Sequence, residues 1–484
     1  MRGDHVVVIG AGLAGLSAAL HLLGTGRRVT LLERDDRPGG RVSGQEYDGY
    51  KADTGATVLT MPELLDEALA AAGQPNPLRL VRLDPAYRAR FADGSSLAVC
   101  TDGDAMEAEI REFAGPREAD GYRRLRRWFS ELYEVEKDRF IGANFDSPLD
   151  LARPEMLKLL ALGGFGRLGP RIGRFLADDR LRRVFSFQSL YAGLDPRTAL
   201  AAYGVIPYMD TIAGVYYPLG GMGRVGQVLA DAAERAGADV RFKTEAAWLE
   251  RVSSRVRAVR TRAGERIPCD AVVLATELTT AYRLLGTRPK RPLPLRYSPS
   301  AVVLHGSTRR SWPELDHHTI FFGGAWSRTF AEIIREGRLM SDPSLLVTRP
   351  TATDPTLAAD GQVVSVLAPA PNLRTGRIDW PRVGPAYRQE LLRVLTHRGL
   401  TGFEDEYRVA EVVTPQTWAE RGLAAGTPFS LAHTFAQTGP FRPGNLVRGL
   451  ENVVLAGCGT TPGVGIPPVL ISGRLAAARI TGAA

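Results

Sequence analysis

Residues 5–33 read HVVVIGAGLAGLSAALHLLGTGRRVTLLE, and this stretch decides the fold. It opens with a β-branched run over 5–10, which is too short for a helix, and continues with apolar residues at helical spacing over 16–23. Glycines at 24 and 26 end that helix, and a second buried strand follows over 28–32. The stretch therefore predicts a strand, a glycine turn, a helix and a second parallel strand, the βαβ unit of an α/β fold.

The turn between the first strand and the helix carries three glycines in the spacing of a dinucleotide-binding motif. Gly10 allows the tight turn, Gly12 lets the backbone approach a pyrophosphate, and Gly15 permits close packing of helix on strand. The helix N-terminus adds amide donors and the positive end of its dipole. Glu33 lies 33 − 10 = 23 residues after Gly10, the spacing of an acid that accepts hydrogen bonds from an adenosine ribose. A glycine-rich turn without a ligand is the alternative.

Composition limits the kind of protein that carries this unit. The chain has 484 residues, 44% hydrophobic and 24% charged, which is typical of a large folded protein. Its three cysteines are widely spaced and fit neither a disulfide framework nor a zinc site, which favours a reducing cytoplasm. The net charge of +8 would suit nucleic acid or an anionic membrane, but no nucleic-acid-binding motif accompanies it. We find no export signal and no apolar run near the roughly 18 residues of a membrane span.

Elements of the same kind recur later in the chain. The predicted elements are a helix over 225–235, strands over 237–242, 256–261, 271–275 and 452–457, and a last helix from Ile466 or Pro467. They predict a dinucleotide-binding domain that is interrupted and resumed. Its predicted pieces are residues 1–90, 215–285 and 448–484. The two insertions, residues 91–214 and 286–447, are predicted to form an α+β domain that binds the substrate and associates with a membrane.

The residues after Glu33 separate two classes of dinucleotide fold. Arg34 follows directly, and RPGGR over 37–41 contains Gly40 and Arg41. In this extension the chain resembles FAD-binding proteins of the amine oxidase and carotenoid desaturase superfamily, in which GGR helps to hold the flavin pyrophosphate; NAD-only dehydrogenases lack it. A surface turn with solvated arginines is the alternative. The resemblance implies FAD as cofactor and an FAD-binding Rossmann-like fold of the kind with two dinucleotide-binding folds.

The glycine-rich segment near the end of the chain fits the same resemblance. In these flavoproteins it touches the ribityl chain and the pyrimidine end of the isoalloxazine, where amide dipoles stabilise charge on the reduced flavin. Cys458 stands where many members carry Asp, and we interpret it as a small buried side chain rather than a redox thiol. The full set of expected FAD-binding residues is Gly10, Gly12, Gly15, Glu33, Arg34, Gly40, Arg41, Asp53, Thr54, Gly55, Val240, Gly457, Gly459, Gly463, Gly465 and Ile466.

Further motifs narrow the resemblance along nearly the whole chain. They are Asp53-Thr54-Gly55, TVLTMP over 57–62, YPLGGMG over 217–223, HHTIFFG over 317–323, SDPSL over 341–345, HTF over 433–435, FRP over 441–443 and GTTPGVGIP over 459–467. On these motifs the chain is similar to the bacterial and fungal phytoene desaturase family, and closest to its actinobacterial members. The resemblance implies an FAD-dependent oxidoreductase of carotenoid biosynthesis that introduces double bonds into phytoene toward lycopene. It also implies oxygen or a membrane quinone as electron acceptor.

Two other classes of function share this fold. One is another flavoenzyme that acts on carotenoids, such as a C30 desaturase, a carotene isomerase or a ketolase. The other is a non-catalytic lipid-binding chaperone of the Rab GDP-dissociation inhibitor type. Intact Gly10, Gly12, Gly15 and Glu33 argue against a chain that has lost its cofactor.

The chemistry of desaturation gives a reason to look for a carboxylate. A hydrocarbon offers no polar group, so a hydride leaves an allylic carbon for flavin N5 and a proton leaves the neighbouring carbon. A fixed carboxylate could stabilise the charge between these events. Asp150 is one candidate because the matching segment of family members carries an acid, although Leu149 replaces the Arg before it. Its alternative role is a helix N-cap. Glu277, after the strand predicted over 271–275, is the second candidate.

Two remaining patterns concern metals and membranes. Adjacent His317 and His318 do not predict a metal site, because neighbouring strand residues point to opposite faces. Residues 156–187 mix leucine, phenylalanine and methionine with six arginines, which suits interfacial helices on anionic lipid, although glycines interrupt them. A solvated arginine-rich face is the alternative. The resemblance implies peripheral attachment to the inner face of the cell membrane.

Overall fold

The computed structural model describes residues 4–287 and 293–482. Its strands are β1 His5–Ile9, β2 Arg28–Leu32, β3 Gly44–Tyr47, β4 Tyr50–Asp53, β5 Leu80–Arg82, β6 Tyr87–Arg90, β7 Ser96–Val99, β8 Tyr216–Pro218, β9 Asp239–Arg241, β10 Ala246–Val252, β11 Arg255–Thr261, β12 Arg266–Pro268, β13 Ala271–Leu274, β14 Ser300–Thr308, β15 His318–Phe321, β16 Leu345–Thr348, β17 Gln362–Ala370, β18 Arg408–Val413 and β19 Val453–Leu455. Its α-helices are α1 Leu13–Gly24, α2 Glu63–Ala71, α3 Gly103–Ala114, α4 Pro116–Glu136, α5 Pro154–Ala161, α6 Leu168–Ile172, α7 Asp179–Val184, α8 Val205–Tyr208, α9 Gly223–Arg235, α10 Leu278–Leu284, α11 Trp326–Ala331, α12 Trp380–His397, α13 Phe403–Glu406, α14 Pro415–Glu420 and α15 Ile466–Thr481.

A five-stranded parallel sheet in the order β19-β13-β1-β2-β9 forms the centre of the first domain. The strand residues of β1 and β13 are almost all buried, as expected of parallel strands that helices cover on both faces. Helix α1 packs against α9 and α15. The predicted βαβ unit is therefore confirmed, and strands from three distant parts of the chain join it.

The second domain is built on a seven-stranded sheet in the order β18-β14-β17-β16-β15-β6-β7. Strand β6 pairs with β15 in this sheet, although residues 87–90 fall inside the predicted dinucleotide-binding range 1–90. The partner strand of β6 lies more than two hundred residues later in the chain, so local sequence gave no sign of this pairing, and the domain ranges stay a prediction. The ends of the predicted ranges at 1–3, 288–292 and 483–484 lie outside the described residues.

The chain first crosses from one domain to the other through a two-stranded antiparallel ribbon. Strand β5 leaves the first domain and pairs antiparallel with β8, where the chain returns to it. Between them, the segment predicted as interfacial helices forms the short helices α5, α6 and α7, and Gly163 adopts a φ of +75° just after α5. In the described part of the chain, no helix has the length and apolar character to cross a bilayer.

Candidate functional site

A cavity of about 1710 Å³ extends from the glycine turn after β1 into the second domain. This volume exceeds the roughly 300–1,000 Å³ of a site for one small ligand. One part of its wall carries the glycine turn and Glu33, and we call it the cradle. The other part, the apolar arm, is lined mainly by Phe140, Leu159, Phe187, Ile206, Met209 and Phe322. The cavity therefore has room for a dinucleotide and a long apolar molecule together.

The three glycines of the turn have different roles. Gly10 has a φ of +107°, and a Cβ on it would lie 2.7 Å from the Ala275 carbonyl oxygen. A Cβ on Gly15 would lie 1.9 Å from the Gly10 carbonyl oxygen, so only glycine lets α1 approach the strand. Gly12 differs, because no heavy atom of the described residues lies within 4 Å of such a Cβ. Gly12 thus faces open space at the N-terminus of α1.

Glu33 is fixed at the carboxyl end of β2, beside the glycine turn. Its carboxylate accepts hydrogen bonds from the Ala11 amide at 2.7 Å and the Asp35 amide at 2.9 Å. Burial raises the pKa of Glu33 against the effect of these bonds. The neighbouring Arg34 reaches across to the Arg421 carbonyl oxygen at 2.7 Å. Both side chains line the cradle, where a ribose would lie.

The GGR segment packs directly on the turn. The Gly39 amide donates to the Ala11 carbonyl oxygen at 2.8 Å, and a Cβ on Gly40 would lie 3.2 Å from the Gly12 Cα. Arg41 forms an ion pair with Glu277 and donates to the Cys458 sulfur. Its buried Nε has no hydrogen-bond partner among the described residues. A cation with a free donor therefore stands at the cradle.

The Asp53-Thr54-Gly55 motif packs against the GGR segment of the cradle. Asp53 accepts hydrogen bonds from the Tyr217 hydroxyl at 2.8 Å and the Met222 amide at 2.7 Å, at the N-terminus of α9. Burial raises the pKa of Asp53 to about 6. A Cβ on Gly55 would lie 1.8 Å from the Arg41 carbonyl oxygen. Asp53, Thr54 and Gly55 all line the cavity. The two hydrogen bonds to the Asp53 carboxylate come from other residues of this chain, Tyr217 and Met222.

The glycine-rich loop over residues 457–465, which we call the closing loop, brings the start of α15 to the cavity. Gly457, Gly465 and Ile466 line the cavity. Gly463 packs instead against His433, since a Cβ there would lie 2.1 Å from the imidazole Cε1, and Gly459 packs against Leu278. The loop thus places a helix N-terminus at the cradle.

Arg442 holds this loop in place and was not predicted as a site residue. Its fully buried guanidinium donates to the Cys458 carbonyl oxygen at 2.5 Å and the Thr460 carbonyl oxygen at 3.0 Å. The FRP motif was a signal for its importance, but the motif does not show what the side chain contacts.

Val240 is not among the described residues that line the cavity. It is the middle residue of β9 and pairs with Leu31 in the sheet. The cavity is lined instead by Thr244, Glu245 and Ala246, just after that strand. The Thr244 amide donates to the Glu33 carbonyl oxygen at 2.7 Å. Contact of Val240 with the cofactor stays a prediction.

The two predicted catalytic acids have different surroundings. Asp150 accepts the Asp146 amide at 2.7 Å and the Ser147 amide at 3.0 Å, in a capping box over the 3₁₀ turn Pro148–Leu151. These backbone hydrogen bonds lower the pKa of Asp150. Leu151 is among the described cavity-lining residues and Asp150 is not. Asp150 is not an N-cap either: Ser147 is the N-cap of this turn, and Asp150 is the N3 residue whose carboxylate closes the capping box. Glu277 does line the cavity, paired with Arg41.

Sequence reasoning missed two other acids on the cavity wall. Glu136, at the end of α4, and Asp210, in a π-helical turn over Met209–Ala213, are 6% and 3% exposed. Burial raises the pKa of Asp210 to about 7 and that of Glu136 well above its usual value. Asp210 stands among mainly apolar residues in the sequence, which was an available signal, whereas Glu136 lies in a charged stretch that gave none.

The adjacent histidines His317 and His318 are both buried. Burial lowers the pKa of His318 to about 4, so its ring is neutral near pH 7. The His317 Nδ1 is 2.7 Å from the Thr353 hydroxyl. Among the described residues, no group of three potential ligands is arranged to hold a metal ion.

The residues of the cradle fit FAD. Gly12 leaves space for a pyrophosphate at the N-terminus of α1, and the unpartnered Arg41 Nε supplies a positive donor beside it. Glu33 stands where the hydroxyls of a ribose would donate hydrogen bonds to its carboxylate, and the start of α15 also lines the cavity.

Comparisons with known proteins agree with this geometry. The family model described as "Flavin containing amine oxidoreductase" matches residues 13–481. A "Phytoene dehydrogenase" of Streptomyces griseus is 62% identical, over 99% of this chain and 95% of that protein. A "zeta-carotene-forming phytoene desaturase" of Myxococcus xanthus is 34% identical, over 99% of this chain and 94% of that protein. A crystal structure of an oxidoreductase from Methanosarcina mazei has the same fold, with a TM-score of 0.63 at 15% identity over 97% of this chain and 99% of that one.

Proposed function

The chain belongs to the family of flavin-containing amine oxidoreductases, and we propose on this premise that it desaturates phytoene with FAD as cofactor. It is an FAD-dependent carotenoid desaturase that introduces double bonds into phytoene, toward lycopene. One observation carries the proposal: a single cavity joins an FAD cradle to a long apolar arm. A polyene hydrocarbon needs such an arm, because burial of its apolar surface is the main source of its binding free energy.

The side chains of the cavity bind and orient rather than supply the redox chemistry. Bound FAD supplies the hydride acceptor, the N5 atom. Gly12, Glu33 and Arg41 hold the cofactor, while Phe187 and Phe322, whose rings are 6.1 Å apart, form part of the wall against which a polyene lies. These walls exclude water from the reacting carbons, and exclusion strengthens the electrostatic interactions around them.

The test is an anaerobic incubation of the purified, liposome-bound protein with FAD and phytoene. We expect loss of oxidised-flavin absorbance together with longer-wavelength polyene bands. A carotene isomerase would change the polyene bands without net flavin reduction, and a chaperone would change neither. Flavin that binds but stays oxidised with phytoene would contradict the assignment, and C30 analogues and downstream carotenes in parallel cuvettes would then identify the true substrate class.

The same assay addresses the electron acceptor, which we propose is oxygen or a membrane quinone. After the flavin is bleached, oxygen or a quinone is admitted separately. The acceptor that restores oxidised flavin within the turnover time is the functional one. Restoration by neither would exclude both.

We also propose that the enzyme works on the inner face of the cell membrane, docked through an apolar surface around the arm. Leu149, Leu157 and Leu160 are 80%, 70% and 59% exposed. They stand on the 3₁₀ turn Pro148–Leu151 and on α5, whose neighbouring residues Leu151 and Leu159 line the cavity. Single exposed leucines are ordinary, but a cluster beside a hydrocarbon site is suited to contact with lipid.

A further inference from the structure

Two acids are buried in the wall of the cavity, and the reaction needs a group that accepts a proton. We propose that Asp210 is the catalytic residue that takes the proton from phytoene. The proposal rests on the proposed desaturase function and names the residue that completes its chemistry. It replaces Asp150, whose carboxylate is held in a helix cap.

The carboxylate of Asp210 is held in one orientation. The Tyr87 hydroxyl donates to Oδ2 at 3.1 Å, which is the hydrogen bond that the described residues give this side chain. The Tyr87 ring is itself fixed, with its centroid 5.8 Å from that of Phe187 and 5.5 Å from that of His318. Asp210 is a cavity-lining residue, so Oδ1 is left for a ligand. A fixed carboxylate with one free oxygen is the arrangement that a general base requires.

Asp210 lines the same cavity as the residues of the cradle. Behind Tyr87, His318 contacts the main chain of Thr57. Thr57 lies two residues after Gly55, which packs on Arg41 in the cradle, and it lines the same cavity. A short chain of contacts therefore connects Asp210 to the cofactor site. A polyene in the arm would pass between the two.

The step balances with the groups already assigned. Desaturation breaks two C–H bonds on adjacent carbons. One hydrogen leaves with its electron pair to the flavin, and the other leaves as a proton to a carboxylate oxygen of Asp210. The electron pair of that second C–H bond becomes the new π bond. Oxygen or a quinone then takes the two electrons from the cofactor, and Asp210 returns its proton to water after the product leaves.

The rival acid, Glu136, is less suited to this step. Its Oε1 is buried and has no hydrogen-bond partner among the described residues. Burial raises the pKa of Glu136 well above its ordinary value, and no hydrogen bond from the described residues opposes this effect. Burial also raises the pKa of Asp210, but the hydrogen bond from Tyr87 opposes it, and the pKa is about 7. A substantial fraction of Asp210 is therefore ionised at neutral pH.

The groups that face Asp210 are tyrosines rather than ions. Tyr87 comes from β6, and Tyr191 follows the 3₁₀ turn Phe187–Leu190. Burial, and after it the charge of Asp210, raises the pKa of Tyr191 well above its usual value. Both phenols stay neutral through the pH range of the enzyme, with neutral His318 behind Tyr87. Asp53, with a pKa of about 6, also lines the cavity, but its carboxylate is held by Tyr217 and Met222. The part of the pH dependence that is lost in Asp210→Asn should therefore follow Asp210.

The test compares Asp210→Asn with Glu136→Gln in the FAD-loaded, vesicle-bound enzyme. We expect Asp210→Asn to slow anaerobic flavin bleaching by phytoene at least about 100-fold, the usual contribution of a general base, with FAD content unchanged. In the wild type the bleaching rate should rise with pH to a plateau above about pH 7, and the Asn variant should lose this dependence. Infrared titration of the apoprotein gives a second readout, since a protonated-carboxyl band that disappears near pH 7 should be missing from Asp210→Asn.

Equal bleaching rates in wild type and Asp210→Asn would overturn the proposal, and so would a large loss in Glu136→Gln alone. If Asp210→Asn fails to bind FAD, Tyr87→Phe decides the question. This variant keeps the carboxylate but removes its donor, so the rate profile should move to higher pH; an unmoved profile counts against Asp210. Failure of the proposed function is distinguishable, because the wild type would then show no bleaching with phytoene.

Discussion

Arg41 and Glu277 form an ion pair in the cradle, and the guanidinium of Arg41 also contacts the sulfur of Cys458. The three residues come from the three separate pieces of the first domain. One side chain therefore ties together the GGR segment, the end of β13 and the closing loop. The negative charge of Glu277 is compensated by Arg41, which favours a role in shaping the cofactor site over a role as a free catalytic carboxylate.

Glu277→Gln should destabilise the apoprotein. Removal of one partner of a buried pair costs about 3–5 kcal/mol, and we expect the lower end because Arg41 keeps some contact with solvent. Urea unfolding of the apoprotein measures the loss. If Glu277 served catalysis alone, stability would stay at the wild-type value and only the rate would fall.

Gly12→Ala and Gly15→Ala should separate cofactor binding from folding. A Cβ on Gly12 meets open space, so the apoprotein should keep its melting temperature while FAD binds at least about tenfold more weakly, a loss of about 1.4 kcal/mol. A Cβ on Gly15 would meet the Gly10 carbonyl oxygen at 1.9 Å, so that apoprotein should melt at a lower temperature. Calorimetry and FAD titration measure both quantities. An unchanged FAD affinity in Gly12→Ala would place the pyrophosphate elsewhere.

Charged substitutions on the apolar surface should release the protein from membranes. We expect the triple variant Leu149→Glu, Leu157→Glu and Leu160→Glu to lose most of its binding to vesicles that contain phosphatidylglycerol, because carboxylates do not enter the acyl region of the bilayer and are repelled by anionic headgroups. FAD binding should be retained. The control is Val252→Glu, which introduces one charge at an exposed apolar position on β10 in the first domain. Co-sedimentation with the vesicles measures binding. An equal loss of binding in the control would mean that added negative charge, and not the position of the leucines, causes the loss.

Asp210 should also make stability depend on pH. Burial raises its pKa in the folded protein to about 7 from an ordinary value of 3.8, so the folded state favours the protonated form. Its stabilising contribution is complete below about pH 4 and is lost as the pH rises to about 7. At about 1.4 kcal/mol per unit, the difference is on the order of 4 kcal/mol. The free energy of unfolding of wild type minus that of Asp210→Asn should fall with pH across this window; a flat difference would contradict the raised pKa.

Cys458→Ser should leave FAD bound and non-covalent. The Cys458 thiol contacts Arg41 and is far in sequence from the other two cysteines, which are both free. Denaturation of wild type and variant should release free flavin into the supernatant in equal amounts. Flavin that remains with the denatured wild-type chain would indicate a covalent bond and give Cys458 a chemical role.

Local patterns were enough to predict the βαβ unit and the last helix. Apolar runs, turn glycines and the spacing of Glu33 predict β1, α1, β2 and α15 within a few residues, because each depends on neighbours along the chain. The glycine roles at 10, 12 and 15 follow in the same way, and packing distances agree with them. The substrate class came from resemblance of motifs rather than from any physical pattern.

Tertiary structure decided which polar groups belong to the cavity. The sequence by itself determined the βαβ unit, the glycine turns and the presence of acids, since these are set by local backbone geometry. Only the fold left Asp150 outside the cavity wall and brought Tyr87 to Asp210, across 123 residues of chain. Burial and hydrogen bonding set the charge of Asp210, and both depend on groups that are distant in sequence and adjacent only after the chain has folded.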